Sequence, residues 1–121
     1  MDNKTRVEIE TFLTGERERL LEEIAEFERS GQETLSDVSG ENNYRDHMAD
    51  QGSATFAREL DQTLEGNARE RLGQVDQALG RIAAGDHGVC KRCGKRIPLE
   101  RLKAMPTAEL CVTCKEWEES Q

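Results

Sequence analysis

The stretch GVCKRCGKRIPLERLKAMPTAELCVTCK, residues 88–115, contains every cysteine of the chain, arranged as two Cys-x2-Cys pairs. Cys90 and Cys93 form the first pair, Cys111 and Cys114 form the second, and residues 94–110 separate them. This spacing is typical of a four-cysteine structural zinc site, because two tight turns can each present two sulfurs to one tetrahedral ion. Gly94 permits the positive φ that such a turn commonly requires. The sequence therefore predicts one structural zinc ion per chain, held by four thiolates.

Other uses of the four cysteines fit the sequence less well. A thioredoxin-type redox pair would require a βαβ context, which the flanking residues do not show. No apolar run follows Met1 and no stretch is long and apolar enough to span a membrane, so we expect a cytoplasmic protein, in which disulfides seldom persist. His87 is a potential substitute ligand, but four cysteines already complete the site, and a surface turn residue is the better interpretation.

The composition favours long helices over a compact globular core. Of the 121 residues, 35% are hydrophobic, 35% are charged and only 4% are aromatic. Two helices paired along a narrow seam need only two or three apolar positions in seven. The sequence carries two such stripes, predicted to form helices over Thr5–Ser30 and Ser53–Ala84. The first comprises Val7, Ile9, Phe12, Leu13, Leu20, Leu21, Ile24, Ala25 and Phe27, and the second comprises Phe56, Leu60, Leu64, Ala68, Leu72, Val75, Leu79 and Ile82.

The two helices are expected to fold back on one another as a long antiparallel hairpin, a coiled coil with a charged exterior. Ser53 is the expected N-cap of the second helix and Gly85 its C-terminal glycine. Glycines at 66, 73 and 80 recur every seven residues inside this helix, where they either allow a close approach or lower its stability. The fold class is therefore mainly α, with residues 1–84 as the hairpin and residues 85–121 as a zinc-finger module ending in a short helix.

A polar segment, SGQETLSDVSGENNYRDHMADQG (residues 30–52), connects the two predicted helices. It is longer than a chain reversal requires, and long loops are usually functional or disordered. We expect a tip loop over about residues 31–52. It is either a recognition element at the end of the hairpin or a flexible linker.

The C-terminal half of the chain resembles the DksA/TraR family of zinc-finger transcription factors. The resemblance rests on Cys-x2-Cys-Gly-x2-Ile, on ERL-x-A-x-P-x-A-x-L-C, on the final Cys-x2-Cys, and on DHMADQGSATFARELD (residues 46–61) at the start of the second helix. It extends from about Tyr44 to Lys115. The resemblance implies a non-enzymatic regulator that binds RNA polymerase and inserts its coiled-coil tip into the secondary channel. It also implies a role in the stringent response, with the nucleotide ppGpp at the polymerase interface.

The tip of this chain departs from the Asp-x-x-Asp-x-Ala motif of the family's best-studied members. Asp50 matches the second Asp, whereas His47 stands at the first Asp and Gly52 at the Ala. Asp46 is one residue out of register. The chain is most similar to the branch with an HMAD or HPAD tip, and the resemblance implies that these four residues contact the polymerase.

The distribution of charge along the chain indicates an alternative function. The net charge is −8, which disfavours sequence-independent DNA binding. The excess of acidic groups lies in residues 1–84, whereas residues 90–115 have a basic excess. The basic residues of the finger are Lys91, Arg92, Lys95, Arg96, Arg101, Lys103 and Lys115. A zinc ribbon using this patch to bind nucleic acid or another protein is therefore the second hypothesis.

Trp117 follows on the predicted C-terminal helix, where we expect it to pack against the finger or the base of the hairpin.

Overall fold

The computed structural model of the protein describes residues 2–38 and 51–121, with side chains described for residues 2–30 and 55–121. These residues form four helices: α1 (Asn3–Val38), α2 (Gln51–Ala84), α3 (Leu99–Ala104) and α4 (Val112–Glu119). The only β-type pairing within the described ranges is one antiparallel bridge between Val89 and Arg96. The predicted mainly α fold with a short C-terminal helix is confirmed. No helix in this part of the chain is long and apolar enough to cross a membrane.

Both long helices extend further than the sequence predicted. Helix α1 begins after Asp2, whose Oδ1 accepts a hydrogen bond from the Thr5 backbone N–H at 2.9 Å, and continues to Val38 instead of ending at Ser30. Helix α2 begins at Gln51, so Ser53 lies inside the helix and the prediction that it is the N-cap was wrong. Each residue added to an existing helix gains one backbone hydrogen bond without a new nucleation cost. Polar residues of modest helix propensity can therefore continue the helix. Residues 31–38 and 51–52, which the sequence placed in the tip loop, are therefore helical.

The end of α2 is a Schellman motif. The Asp86 N–H donates to the Arg81 carbonyl at 2.9 Å, and the Gly85 N–H donates to the Ile82 carbonyl at 3.1 Å. Gly85 has φ 84°, the left-handed conformation that glycine adopts without steric cost. The predicted C-terminal glycine is confirmed.

The chain divides into two compact units, and the boundary between them crosses both long helices. The first unit comprises Met1–Glu18 and Gly73–Gln121. Its core joins the first half of α1 and the second half of α2 to the finger, and α3 adds Leu102. The buried apolar residues are Ile9, Leu13, Val75, Ala78, Ile82, Ile97, Leu102 and Ala108. An exposed ion pair, Arg17 Nε to Asp76 Oδ1 at 2.7 Å, also links the two helices in this unit.

The second unit, Arg19–Leu72, joins the second half of α1 to the first half of α2. Leu20 and Ile24 on α1 and Ala68 on α2 are its buried residues, within the part whose side chains are described. Arg69 donates from Nη2 to Glu28 Oε1 across the helix pair at 2.7 Å. Both partners are about half exposed, so solvent screens this pair and limits its contribution to stability.

The predicted α2 stripe is buried only in its second part. Phe56, Leu60 and Leu64 are exposed, and the expectation that they lie in the helix seam was wrong. Steps of four residues rotate the position by about 40° beyond a full turn, so three such steps displace Phe56 by roughly 120° from Ala68. From Ala68 onward the steps alternate between four and three, which keeps the apolar positions on one face.

Candidate zinc centre and its surroundings

The four cysteines meet at one point of the first unit. Their Sγ atoms all lie within 4.8 Å of one another, and Cys93 Sγ is 3.9 Å from Cys111 Sγ. A tetrahedral Zn²⁺ with Zn–S bonds near 2.3 Å requires sulfur–sulfur separations of about 3.8 Å. All four are free thiols, and the Cys93–Cys111 separation is far longer than the roughly 2.05 Å of a disulfide. The sulfurs are therefore positioned to bind one metal ion, as the spacing predicted.

The first pair lies in a turn closed by its own backbone. The Cys90 N–H donates to the Lys95 carbonyl at 2.8 Å, and the Gly94 N–H donates to the Cys90 carbonyl at 2.9 Å. Gly94 has φ 74°, which confirms the predicted positive φ. The backbone N–H of Cys93, assisted by those of Cys111 and Arg92, outweighs the effect of burial and lowers the pKa of Cys90 to about 6. The turn thus stabilises the thiolate that metal binding requires.

The second pair lies at the start of α4. Cys111 is the N-cap, with φ −70° and ψ 167°, and Cys114 lies in the first turn, where the helix dipole favours a negative group. A hydrogen bond from Arg92 lowers the pKa of Cys114, whereas burial and hydrogen bonds to the other three sulfurs raise it, to a net value of about 11. Metal binding therefore displaces a proton from this thiol. With four thiolate ligands no coordination position is left for a substrate, so the ion has a structural role.

Hydrogen bonds to the connecting segment hold the two pairs together. Arg101 donates from Nε to the Leu110 carbonyl at 3.0 Å, and the Lys91 N–H donates to the Glu109 carbonyl at 2.9 Å. Arg81, at the end of α2, donates to the Thr107 carbonyl at 3.3 Å and pairs with the Glu109 carboxylate at 3.5 Å. The finger is thereby tied to the last turn of α2.

Arg92 is a part of this centre that sequence reasoning missed. Its Nη1 lies 3.5 Å from Cys114 Sγ, and its guanidinium carbon lies 3.7 Å from the centroid of the Trp117 ring. Trp117 contacts the finger through Arg92, which is one of the two placements expected from the sequence. The residue nevertheless remains 47% exposed. Trp117 follows Cys114 by only three residues, and this short separation in sequence could have predicted that its ring lies near the zinc centre.

His87 is buried, and its prediction as a surface residue was wrong. It is 8% exposed and does not belong to the sulfur cluster. Nε2 lies 2.9 Å from the Pro106 carbonyl oxygen, which can only accept, so Nε2 carries the proton. The turn after α2 directs the ring inward, a consequence of packing against the Met105–Thr107 segment that local sequence does not encode.

The basic residues of the finger do not all form a free surface. Arg92 and Arg101 are occupied by the contacts above, and Lys115 pairs with Glu118 at 3.3 Å. The side chains of Lys91, Lys95, Arg96 and Lys103 are exposed. The patch available to a partner is therefore smaller than the count of basic residues suggests.

The predicted tip residues are not part of the described geometry. Asp46, His47 and Asp50 lie outside the described residues, and Gly52 lies in the first turn of α2. Their assignment as polymerase-contacting residues stays a prediction.

Comparisons with known proteins agree with this fold and centre. The family model described as the prokaryotic dksA/traR C4-type zinc finger matches residues 85–119. General stress protein 16O of Bacillus subtilis is 39% identical over 87 residues, which cover 70% of this chain and 53% of that protein. The RNA polymerase-binding transcription factor DksA of Caulobacter vibrioides is 33% identical over 100 residues, covering 83% of this chain and 70% of that protein.

A solved structure extends the similarity to nearly the whole chain. Transcription factor DksA2 from Pseudomonas aeruginosa superposes with a TM-score of 0.77 and 29% identity, covering 99% of this chain and 87% of that one. The chain spans about half of General stress protein 16O, but more than two thirds of the Caulobacter protein and of DksA2. By its zinc finger, its fold and its sequence, the chain belongs to the DksA/TraR family, a family of transcription factors and not of enzymes.

Proposed function

We propose that this protein is a transcription regulator that binds RNA polymerase directly. In this proposal the segment connecting α1 and α2 enters the secondary channel of the polymerase and modulates initiation. The observation that carries the proposal is the match to DksA2 across 99% of the chain, together with the identity to a Caulobacter relative named for polymerase binding. The four-thiolate centre supports a structural and not a catalytic role for the metal.

The proposed mechanism is a shift between polymerase conformations. A bound regulator changes their populations only in so far as it binds one conformation better than another. Asp50 is the proposed source of this difference, because it is the tip carboxylate that matches the family motif. His47, Asp46 and Gly52 are proposed to shape the same contact, and ppGpp is proposed to bind at the protein–polymerase interface.

The alternative function, nucleic-acid or protein binding by the basic finger, has weaker support. The net charge of −8 opposes attraction to phosphate. Arg92, Arg101 and Lys115 already have partners within the finger. We therefore place polymerase binding first.

The test is binding of the zinc-loaded protein to core RNA polymerase, with and without a competitor known to occupy the secondary channel. We expect binding that the competitor displaces, and a changed lifetime of promoter complexes. Binding that survives the competitor would locate the contact elsewhere, on the finger for example. Absence of binding by protein that retains its zinc and helicity would refute the proposed function.

A variant pair separates the tip from the rest of the molecule. Asp50→Asn removes one negative charge with little change of shape, so we expect the effect on transcription to be lost while zinc content and helicity are retained. Asp61→Asn is the matched control, because Asp61 is an exposed carboxylate on α2. If both variants behave like the wild type in transcription, the tip does not act through the Asp50 carboxylate.

A further inference from the structure

A pocket of about 570 Å³ lies within the first unit. It opens between the beginning of α1, the end of α2, the turn that follows α2, and the segment leading into α3. Arg6, Ile82, His87, Arg96 and Leu102 contribute to its lining, which contains none of the four cysteines. Its volume is in the range of small-molecule sites, which combine apolar walls with a few polar groups.

The charged groups of this lining are cationic. Arg6 and Arg96 line the pocket, and none of its described lining residues is a carboxylate. Arg6 donates from Nη2 to the Asn3 side chain at 2.6 Å, and within the described part of the chain neither arginine has an ion-pair partner. In a protein of net charge −8, two exposed arginines without an ion-pair partner in that part of the chain therefore line one pocket. The guanidinium group matches the geometry of carboxylates and phosphates.

The rest of the lining is largely apolar. Ile82, Ile97 and Leu102 are buried and form its inner wall, whereas Val89 and Leu99 are 43% and 42% exposed. These two exposed side chains offer apolar surface that a ligand could remove from water.

His87 also belongs to the lining. Its Nε2 donates to the Pro106 carbonyl and its Nδ1 is a buried acceptor, so the ring offers no donor to an anion. The two arginines therefore supply the charge complementarity of this lining.

We propose that this pocket binds a small organic anion. The carboxylate or phosphate of the ligand pairs with Arg6 and Arg96, and its apolar body covers Val89 and Leu99. The two arginines are distant in sequence, and the fold brings them to one pocket. Every described residue of its lining belongs to the first unit, and none of them is a proposed tip residue.

The experiment uses the zinc-loaded full chain and three probes at constant ionic strength: phenyl phosphate, benzoate and inorganic phosphate. Affinity is measured by calorimetry, and the site is located by amide chemical-shift changes. We expect at least one of the two aromatic anions to bind tenfold more tightly than inorganic phosphate, with shifts at Gly88, Val89 and Leu99. Comparison of phenyl phosphate with benzoate decides whether the site prefers phosphate or carboxylate.

Variants test each part of the site. Arg6→Ala and Arg96→Ala should each weaken binding of the aromatic anion by tenfold or more. Leu99→Ala should weaken the aromatic anion and leave inorganic phosphate unchanged. Lys95→Ala is the matched control, since Lys95 is an exposed basic neighbour of Arg96 outside the lining. Zinc content and helicity are measured for every variant.

Three outcomes would overturn the proposal. Absence of binding by all three probes at millimolar concentration would show that the pocket is not an anion site. An equal loss in Lys95→Ala and Arg96→Ala would indicate diffuse attraction to the basic finger. Equal affinity for inorganic phosphate and both aromatic anions would show that the apolar wall is not used.

Discussion

The guanidinium carbon of Arg92 lies 3.7 Å from the centroid of the Trp117 ring, and the same group donates to Cys114 Sγ at 3.5 Å. Arg92 belongs to the turn of the first cysteine pair, whereas Cys114 and Trp117 belong to α4. One side chain therefore bridges the two halves of the zinc centre. It pairs with the negative charge of a ligand sulfur on one side and with the negative face of an aromatic ring on the other.

Removal of Arg92 should weaken retention of the metal. Partners of metal ligands typically change metal affinity by about 10- to 100-fold, so we expect Arg92→Ala to release zinc to a chromogenic chelator roughly tenfold faster than the wild type. The fluorescence of Trp117, the only tryptophan, should change as well. Lys91→Ala is the control, because that side chain is exposed and, among the described residues, the side-chain hydrogen bond to a cysteine comes from Arg92. Equal release rates in the two variants would contradict the bridging role.

The zinc ion should be required for folding of the finger. We expect elemental analysis to find about one zinc per chain, and Cys114→Ser to lose the metal and unfold the finger, because formation of the site and folding are coupled. The second unit, which contains no cysteine, should keep its helicity in circular dichroism. Absence of zinc from wild-type protein purified without chelator would refute the four-thiolate centre.

Neighbouring residues on α1 should differ sharply in their contribution to stability. Leu13 is fully buried, whereas Phe12 is 51% exposed. Leu13→Ala should lower the free energy of unfolding by about 2–5 kcal/mol, because it leaves a cavity in the first unit. Phe12→Ala, on the same turn, should cost much less. Urea denaturation of both variants checks the difference, and a comparable loss in the two would mean that the helix has a different rotation.

The glycines inside α2 should be sites at which the helix can be stabilised. A Cβ built at Gly66, Gly73 or Gly80 meets nothing within 4 Å, so the described structure uses none of them for a close approach. Gly73→Ala should therefore raise the free energy of unfolding by about 1 kcal/mol.

Gly88→Ala is the contrasting variant. Gly88 has φ 93°, and a Cβ there would lie 3.4 Å from Leu102 Cδ1. We expect this substitution to destabilise the protein by roughly 1–2 kcal/mol, the usual cost of a left-handed conformation for a residue with a side chain. Thermal unfolding of the two variants should shift in opposite directions. A destabilised Gly73→Ala would indicate that the glycine side of α2 packs against something.

The metal centre was the most predictable part of the molecule. The two Cys-x2-Cys pairs, the positive φ of Gly94 and the termination of α2 at Gly85 all depend on residues within a few positions of one another. Turn geometry and helix capping depend on short-range sterics and hydrogen bonds, which are determined by the residue types nearby in sequence. The helix boundary at Ser30 was less predictable, since a helix once formed continues through residues of modest propensity.

Burial along α2 was predicted only in part. Ala78 is fully buried although it was not in the predicted stripe, and Phe56 is exposed although it was. Hydrophobicity ranks residues by their tendency to be buried, but the rotation of a helix decides which of them face the neighbouring helix. Steps of four residues drift around the helix, so an apolar run can leave the contact face.

The sequence by itself determined the four-cysteine cluster, the helical class and the end of α2, because each follows from local spacing and backbone preference. Only the tertiary structure decided that Arg92 lies between Cys114 and Trp117, that His87 is buried against Pro106, and that Arg6 and Arg96 line one pocket. These relationships join residues distant in sequence, and their geometry depends on how the first unit packs. Packing is a collective property of the core, so no local pattern specifies it in advance.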